Sequence, residues 1–382
     1  MENLMKKHFL KIGSYILVAA LSTFLTLYFY PGSGKLAELE ALIEERFIGE
    51  ADMETLEDAA AAAMVTATGD RWSYYISREE YDTYLEQVNN AYVGIGVTIQ
   101  QEEEEGYRIL EVTAGGPAEE AGIEVNDLLF EVEGQDVRKM DITQVRDLVK
   151  GEEGTKVNLR LLRKGEPLSL SVERRKVETA VATFEMLENN VGLVSIVNFD
   201  SRCAEESIAA IETLLDQGAK ALVFDVRNNP GGYADELVKL LDYLLPEGEL
   251  FRTVRYDGKE HVDTSDADFL DIPMAVLVNG SSYSAAEFFA AALREYDVAT
   301  VIGQQTVGKG YFQTTYTLSD GSAVALSIGK YFTPNGVNLS EAGGLTPDVV
   351  IELDEESEVA LYYGTLPREE DPHIRAAIEK LS

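Results

Sequence analysis

The spacing of hydrophobic residues changes several times along the chain, and each change predicts a different kind of element. An uncharged, mainly apolar run from Ile12 to Gly34 is long enough to cross a hydrocarbon core as one helix. Apolar residues then recur every three or four positions as far as Tyr84, which predicts helices. Between Tyr92 and Val177 apolar and polar residues mostly alternate, which predicts a small β-rich domain around an amphipathic helix at 141–150.

A larger region after Val177 contains three segments that each predict a buried strand, a turn and a helix. These segments are 191–216, 221–245 and 274–296. Such repetition predicts parallel strands with helices packed on the sheet. The chain then becomes mainly β and ends in a helix that begins at Asp371-Pro372. We therefore expect a multidomain, mixed α/β protein.

These patterns divide the chain into six parts. They are a cytoplasmic tail at 1–11, a transmembrane anchor at 12–34, a helical region at 35–91, the β-rich domain at 92–177, an α/β core at 178–350 and a C-terminal segment at 351–382. Lys6, Lys7 and Lys11 precede the apolar run, which predicts a cytoplasmic N-terminus. We expect a single-pass protein of the cell membrane with its large part extracytoplasmic. A cleaved signal peptide is the alternative, but its apolar region would be unusually long.

The charge balance and the cysteine count remove several classes of function. The 382 residues include 32 Lys and Arg against 68 Asp and Glu, a formal net charge of −36, and they form no basic stripe of the kind that binds nucleic acid. The single cysteine, Cys203, excludes an internal disulfide framework. No Cys/His cluster has metal-ligand spacing, so we expect no metal and no other cofactor.

The first segment with possible chemistry is a buried strand that ends at Asn279-Gly280 and leads into a helix near Ser284. A serine at that turn would lie beside the free N–H groups of a helix N-terminus, which can stabilise an oxyanion. The alternative is purely structural, because Ser284 and Glu287 also form an S-x-x-E capping box. The segment by itself favours the cap.

The second segment, Thr306-Val-Gly-Lys-Gly-Tyr-Phe-Gln313, places one lysine between two glycines. A desolvated Lys309 would lose proton affinity and could take the proton of a serine hydroxyl. Gln313 would share its face of an extended strand and could orient the amine. The alternative is a solvated loop lysine. Residues 303–310 nearly match a GxxxxGK[ST] phosphate loop, but Gly310 replaces the hydroxyl residue and a strand follows, which argues against a nucleotide site.

Histidine is too scarce to favour a Ser-His-Asp arrangement. His8 belongs to the N-terminal tail, His373 to the terminal helix, and His261 to a stretch at 257–268 that we expect to be a loop. Only His261 could reach Ser284. The sequence therefore favours a lysine as the base.

The third segment, Asp225-Val-Arg-Asn-Asn-Pro-Gly-Gly232, ends a predicted strand with glycines whose bare amides could complete an oxyanion hole. In order and spacing, this segment, 279–287 and 307–310 strongly resemble the carboxyl-terminal processing proteases, also called tail-specific proteases. Two positions depart from the family pattern. Tyr283 stands where the family usually has a small residue, and Ala286 replaces a common second serine.

The resemblance implies specific roles for five residues. The family's serine–lysine dyad corresponds to Ser284 and Lys309, which are 25 residues apart, and its lysine-orienting glutamine corresponds to Gln313. Its oxyanion hole corresponds to the amides of Ala285 and Gly232. The family's core architecture is similar to that of crotonases and Clp proteases.

The resemblance extends from about residue 36 to 348, and it identifies 92–177 as a PDZ domain. Such a domain binds a peptide as an added strand and captures its terminal carboxylate with backbone amides. The residues predicted to supply the amides are Gly94, Ile95 and Gly96. The residues predicted to line an apolar pocket are Val145, Leu148 and Val149, each of which could instead belong to the core.

The function that follows is an extracytoplasmic serine endopeptidase that binds free apolar C-termini of proteins and hydrolyses peptide bonds with Ser284 and Lys309. Family members often pair through terminal helices, so we expect a homodimer with contacts at 36–47 and 371–381. One alternative is a catalytically inactive, membrane-anchored PDZ adaptor, but retention of Ser284, Lys309 and Gln313 argues against it. Another is a crotonase-like acyl-transferring enzyme, which the inserted PDZ-like domain disfavours.

Overall fold

The computed structural model describes residues 34–102 and 105–382. The predicted tail and all of the predicted anchor except Gly34 therefore lie outside the described residues. Within these two ranges, no helix combines the length and the apolar character that a membrane crossing requires. The described chain forms two compact units, which divide between Tyr75 and Ile76.

The first unit is mainly helical, as its periodicity predicts. Its elements are α1 (Lys35–Arg46), α2 (Met53–Thr66) and the start of β1 (Tyr74–Ile76). Asp52 caps α2 by accepting a hydrogen bond from Glu54 N at 3.2 Å. The Tyr75 hydroxyl donates to Asp58 Oδ1 at 2.7 Å, which ties the end of this unit to α2. No residue of α1 is buried.

The second unit begins with a helix and the β-rich domain. Its elements are α3 (Arg78–Val88), β2 (Ala91–Gly94), β3 (Val97–Glu102), β4 (Gly106–Val112), α4 (Pro117–Glu120), β5 (Leu128–Val132), β6 (Gln135–Asp136), α5 (Ile142–Val149), β7 (Lys156–Arg163), β8 (Glu166–Glu173) and β9 (Arg175–Glu178). The strands pair in the order β3-β4-β5-β7-β8, with β6 on β5. A separate antiparallel pair, β2 with β9, joins the entry and exit of the domain.

The strand predicted across 92–99 is interrupted in the structure. β2 stops at Gly94 and β3 starts at Val97, because Gly96 has a φ of 77° that an L-residue rarely adopts. β3 is the terminal strand of the domain's sheet. The break places a turn of backbone at the open edge of that sheet.

The remaining elements form the α/β core. They are β10 (Ala182–Met186), β11 (Val191–Ile196), α6 (Cys203–Asp216), β12 (Ala221–Asp225), α7 (Ala234–Leu244), β13 (Gly248–Arg255), β14 (Glu260–Ser265), β15 (Met274–Val278), α8 (Ala285–Glu295), β16 (Ala299–Gly303), β17 (Tyr311–Thr317), β18 (Ala323–Phe332), α9 (Leu339–Ala342), β19 (Val349–Val350), α10 (Glu355–Tyr362) and α11 (Pro372–Leu381). One sheet has the order β10-β11-β12-β15-β16-β19, in which β11 to β19 are parallel. The three predicted strand–turn–helix segments are β11–α6, β12–α7 and β15–α8.

Both faces of this parallel sheet are buried, which explains its nearly continuous apolar strands. Phe224 and Val276 pack on the face covered by α6, α7 and α8. Val223 and Leu277 point to the opposite face and pack with Ile374 of α11. Alternate residues of each strand thus enter two separate hydrophobic clusters.

A second, antiparallel sheet was only partly predicted. Its strands β14, β13, β18 and β17 pair in that order. The expectation of a loop at 257–268 is wrong for Glu260–Ser265, which forms β14. This strand is mostly polar and exposed, so it lacks the alternation that marks a half-buried strand, and its pairing with β13 defines it.

The C-terminal helix is held against the core by buried charges. Asp371 caps α11 and forms a 2.8 Å ion pair with Arg227, which also pairs with Asp225 at 2.6 Å. His373 approaches the same guanidinium through Nδ1 at 3.2 Å. Part of the segment expected to contact a second copy therefore packs within its own chain, and it supports the turn that follows β12.

Candidate active site

Three neighbouring parallel strands, β12, β15 and β16, end at the same edge of the core sheet. Ligands and reactive groups of open α/β sheets gather at the carboxyl ends of the strands. The turn after β12 contains Gly231 and Gly232, the turn after β15 contains Ser284, and the segment after β16 contains Lys309. The topology thus brings the three sequence segments singled out above to one place.

Ser284 lies at the cap position of α8 in an uncommon backbone conformation. Its φ is 60° and its ψ is −127°, and a non-glycine residue held there costs about 1–3 kcal/mol. The residue is half-buried, whereas the following residues from Ala285 to Leu293 are all buried. The packed helix supports the strain, and the turn presents the serine at the edge of the sheet.

Gly231 explains how closely the turn after β12 approaches the serine. A Cβ added at Gly231 would lie 2.7 Å from Ser284 Cβ and 2.9 Å from Ala285 N. Tyr283 N donates to the Asn229 carbonyl at 3.1 Å, and the Asn279 side chain accepts from Asn228 N at 2.9 Å. These bonds join the two turns, and only glycine fits at the contact point.

A buried glutamate, Glu287, connects the serine to the lysine segment. Its Oε2 accepts hydrogen bonds from Ser284 N at 3.0 Å and from Lys309 N at 2.8 Å. Its Oε1 accepts from Gly308 N at 2.7 Å and from the Thr306 hydroxyl. The side chain is fully inaccessible to solvent, and this burial raises the pKa of Glu287 although the four donors act in the opposite direction. One carboxylate therefore fixes the backbone of both predicted dyad residues.

The Lys309 side chain lies beside the residue that precedes the serine. Lys309 Nζ is 5.7 Å from the centroid of the Tyr283 ring, close enough for a cation–π interaction. Its flanking glycines are both required for close contacts. A Cβ at Gly308 would lie 2.8 Å from Gly344 N, and one at Gly310 would lie 2.4 Å from Asn338 Oδ1.

The other predicted catalytic residues lie around this centre, and their roles stay predictions. Gln313 on β17 donates through Nε2 to Ser327 Oγ at 2.9 Å and to the Tyr311 carbonyl at 3.2 Å. Ala285 is the first residue of α8, so its N–H is one of the first N–H groups of the helix, which have no acceptor within it. Gly232 lies next to Phe199, where a Cβ would meet the Phe199 carbonyl oxygen at 2.1 Å.

Tyr331 is a site residue that no local sequence pattern indicates. Its hydroxyl lies 2.8 Å from Ser284 Oγ, although the residues are 47 positions apart. Thr306 and the linking role of Glu287 were missed as well. The capping-box pattern indicated Glu287, but no local pattern could show that its carboxylate also reaches the segment after β16.

The histidines lie in other places in the described chain. The His261 side chain is 72% exposed on β14 and pairs with Asp263 at 3.1 Å. His373 bonds to Arg227 and to the Ile351 carbonyl. Within residues 34–102 and 105–382, neither histidine contacts Ser284.

A cavity of about 530 Å³ lies along the edge strand β3 of the β-rich domain. Gly94, Ile95, Gly96 and the strand itself form one side. Helix α5 forms another side, and α3 contributes Glu86, which pairs with Lys150 at 2.5 Å.

The predicted lining of this cavity needs a correction. Val149 lines it, but Val145 is fully buried in the domain core and Leu148 packs against that core. The residues of α5 that face the cavity are Ile142, Arg146 and Val149, spaced by four and three positions. Val145 and Leu148 are not among the residues that line the cavity, and the Val145 side chain is enclosed in the domain core. The apolar stripe therefore divides between core and cavity.

Comparisons with known proteins agree with this architecture. The family "Peptidase family S41" matches residues 190–351, and "PDZ domain" matches residues 108–163. Carboxy-terminal processing protease CtpA of Bacillus subtilis is 32% identical over 322 residues, which cover 84% of this chain and 69% of that protein. The chain belongs to peptidase family S41.

Further similarities support the family assignment. The probable CtpA-like serine protease of Staphylococcus haemolyticus is 33% identical over 300 residues, which cover 78% of this chain and 60% of that protein. The crystal structure of an S41 protease candidate from Bacteroides fragilis is 17% identical, covers 89% of this chain and 96% of its own, and superposes with a TM-score of 0.55, which shows a shared fold. The family match and the relative from Bacillus subtilis confirm the predicted family and the predicted class of serine peptidase.

We expect Gly231→Ala to abolish most peptidase activity of this S41 chain. The new Cβ would displace Ser284, and displacing a reacting group by about 1 Å costs on the order of 10²-fold in rate. Gly258→Ala is the matched control, because Gly258 has a similar positive φ of 78° but no atom within 4 Å of the new Cβ. Initial rates on an unfolded protein substrate measure the effect. Equal losses of activity in both variants would contradict a role for the close contact between Gly231 and Ser284.

We expect Glu287→Gln to reduce activity at least about 10²-fold, because in either orientation the amide NH₂ faces a backbone N–H donor. The control is Glu341→Gln, which changes an exposed glutamate.

A second measurement is the pH dependence of stability. The raised pKa of Glu287 gives the wild type a stability contribution that is complete below the ordinary value of about 4.3 and is lost as pH rises through the raised value. Between pH 4 and 8, the unfolding free energy of the wild type should therefore fall relative to that of Glu287→Gln. A difference between the two proteins that does not change with pH would contradict the raised pKa of Glu287.

Proposed function

We propose that the chain is a membrane-anchored, extracytoplasmic serine endopeptidase that binds free apolar C-termini of proteins in its PDZ groove and cleaves them with Ser284 and Lys309. The observation that carries the proposal is the carboxylate of Glu287, which binds the backbone N–H groups of both residues. An adaptor without activity would have no need for a strained serine held beside a lysine.

In the proposed reaction, Ser284 Oγ attacks the scissile carbonyl carbon. The Oγ–H bond breaks and its proton passes to Lys309 Nζ, while the carbonyl electrons move onto the oxygen. Lys309 then gives the proton to the leaving amine, and the acyl group stays on Ser284. In the second half, Lys309 takes a proton from water, whose oxygen attacks the ester carbon. The bond between the acyl carbon and Oγ then breaks, Lys309 returns the proton to Ser284 Oγ, and the new carboxyl terminus leaves.

The oxyanion of each step would lie at the N-terminus of α8. The Ala285 N–H is available there, and the positive end of the helix dipole favours the negative charge. Gly232 N–H is the proposed second donor, on the turn that Gly231 holds against Ser284. Gln313 would orient Lys309 from the neighbouring strand β17.

The cavity beside β3 has the features that C-terminal capture needs. The carbonyl of Ile95 accepts from Ala118 N at 2.8 Å and that of Gly96 from Thr113 N at 3.0 Å. In a trans peptide, the carbonyl of one residue and the N–H of the next residue point in opposite directions. The N–H groups of Gly96 and Val97 therefore point away from Ala118 and Thr113. A terminal carboxylate bound there would place the peptide antiparallel along the edge of β3, with its last side chain near Val149.

The proposed location is based on the sequence, and the proposed assembly on an exposed helix. The uncharged run at 12–34, preceded by three lysines, supports a single membrane span with the peptidase outside the cytoplasm. A homodimer is the proposed assembly. Its support is the exposed apolar side of α1, where Leu39 is 53% exposed and Leu42 is 44% exposed.

Ser284→Ala and Lys309→Ala should each lower the turnover of an unfolded protein with a free apolar tail by at least about 10³-fold, because each removes one partner of the proton transfer. The controls are Ser281→Ala and Lys330→Ala, an exposed serine in the same turn and a lysine that pairs with Glu341. Product formation by mass spectrometry measures both. Cleavage that persists in Ser284→Ala would exclude the mechanism.

Val149→Asp should raise KM for the tailed substrate about 10-fold and leave kcat unchanged, because a carboxylate would repel the bound tail. Val125→Asp, 51% exposed and outside the cavity, should have no such effect. Amidating the tail should raise the wild-type KM similarly. If neither change alters KM, the proposed capture of the tail is wrong, whereas the proposed peptidase chemistry is unaffected.

A further inference from the structure

The nucleophile has a partner that the dyad scheme does not use. Tyr331 Oη lies 2.8 Å from Ser284 Oγ, a normal hydrogen-bond length between hydroxyls. Tyr331 is on β18 of the antiparallel sheet, whereas Ser284 begins α8 of the parallel sheet's layer. The contact therefore joins two sheets at the reacting atom.

Aromatic packing holds the Tyr331 ring from several sides. The side chain is only 4% exposed, and Phe288 packs edge-on against it with centroids 4.4 Å apart. Phe251 on β13 and Phe312 on β17 lie 5.4 Å and 6.3 Å away. Since Phe288 belongs to α8, the ring and the serine are fixed to the same helix.

The backbone of Tyr331 is also fixed relative to Lys309. Tyr331 N donates to the Gly310 carbonyl at 3.2 Å. The side-chain amide of Asn338 donates both to that carbonyl at 2.8 Å and to the Tyr331 carbonyl at 2.9 Å. The hydroxyl thus has a defined position with respect to both members of the proposed dyad.

The protonation state of Tyr331 decides which role it can play. Burial raises the pKa of the phenol above its ordinary value, and the charge of nearby Glu287 raises it further. The hydroxyl consequently keeps its proton at neutral and moderately alkaline pH. A group that keeps its proton can donate a hydrogen bond but cannot act as the base, so the proton of Ser284 still needs Lys309.

We propose that Tyr331 is a third catalytic residue, which donates a hydrogen bond to Ser284 Oγ while that oxygen attacks the substrate; this rests on the proposed function of the dyad. As the Oγ–H proton moves to Lys309 Nζ, negative charge develops on Oγ before the bond to the carbonyl carbon is complete. The donor stabilises that charge and keeps its own proton. It acts again in deacylation, when Oγ departs from the acyl carbon.

The same contact would also exist if Ser284 only satisfied a buried tyrosine hydroxyl. The two roles differ in their consequences. A structural hydroxyl contributes to stability and leaves turnover unchanged, whereas a donor that acts on developing charge is worth on the order of 10²-fold in rate.

The test uses Tyr331→Phe in the full-length chain, because phenylalanine keeps the ring packing and removes only the hydroxyl. We expect kcat on the tailed protein substrate to fall about 10²-fold with KM unchanged within twofold. The acylation burst with p-nitrophenyl acetate, which bypasses tail capture, should slow by a similar factor. Tyr296→Phe is the matched control, since it removes a part-buried tyrosine hydroxyl that donates to the Glu249 carbonyl at 3.0 Å.

Several results would overturn the inference. Activity of Tyr331→Phe within threefold of wild type makes the contact structural, and increased activity makes Tyr331 a restraint on the serine. A change confined to KM, or equal losses of activity and Tm in Tyr331→Phe and Tyr296→Phe, also contradicts the role. Ser284→Ala separates the two hypotheses. If Ser284→Ala remains active, the proposed function is wrong. If Ser284→Ala is inactive while Tyr331→Phe is fully active, only the inference about Tyr331 is wrong.

Discussion

The arrangement of the site depends on one buried carboxylate. Glu287 accepts four hydrogen bonds from two segments that meet only in the folded chain, the cap of α8 and the stretch after β16. Its burial is unfavourable for a charged group, as the raised pKa shows. Stability is therefore given up to hold Ser284 and Lys309 in register, a compromise that is common at functional sites. A pair of facing side chains alone would leave both backbones free to shift.

The parallel sheet makes this arrangement possible. Its neighbouring strands β12, β15 and β16 direct three turns to one edge, and glycine lets two of them touch. Ser284 keeps its strained backbone at the start of α8, a helix that is buried along nearly its whole length. Behind the turn after β12, Arg227 is paired on two sides and links that turn to the last helix. The rigidity of the site thus comes from elements distant in sequence.

The PDZ groove and the active site use backbone in related ways. At the groove, Gly96 interrupts a strand and leaves amides at a sheet edge, and at the active site Gly231 brings a turn against a helix start. The groove is separate in the chain from the predicted dyad, because most of its lining residues belong to α3 and the β-rich domain. An ion pair between Lys150 and Glu86 joins that domain to α3.

The sequence by itself determined the family and the class of peptidase, because these depend on motifs within short segments, and it singled out Ser284 and Lys309 as the predicted reactive pair. Ser284, Lys309 and the glycines around them were identifiable from their neighbours in the chain. The assignment of Val145 and Leu148 to the groove failed, since a helical stripe does not reveal which neighbour it faces. Tyr331 and the reach of Glu287 had no local signal at all. Only the tertiary structure decided them, because strand pairing and helix packing bring together atoms that no sequence spacing relates.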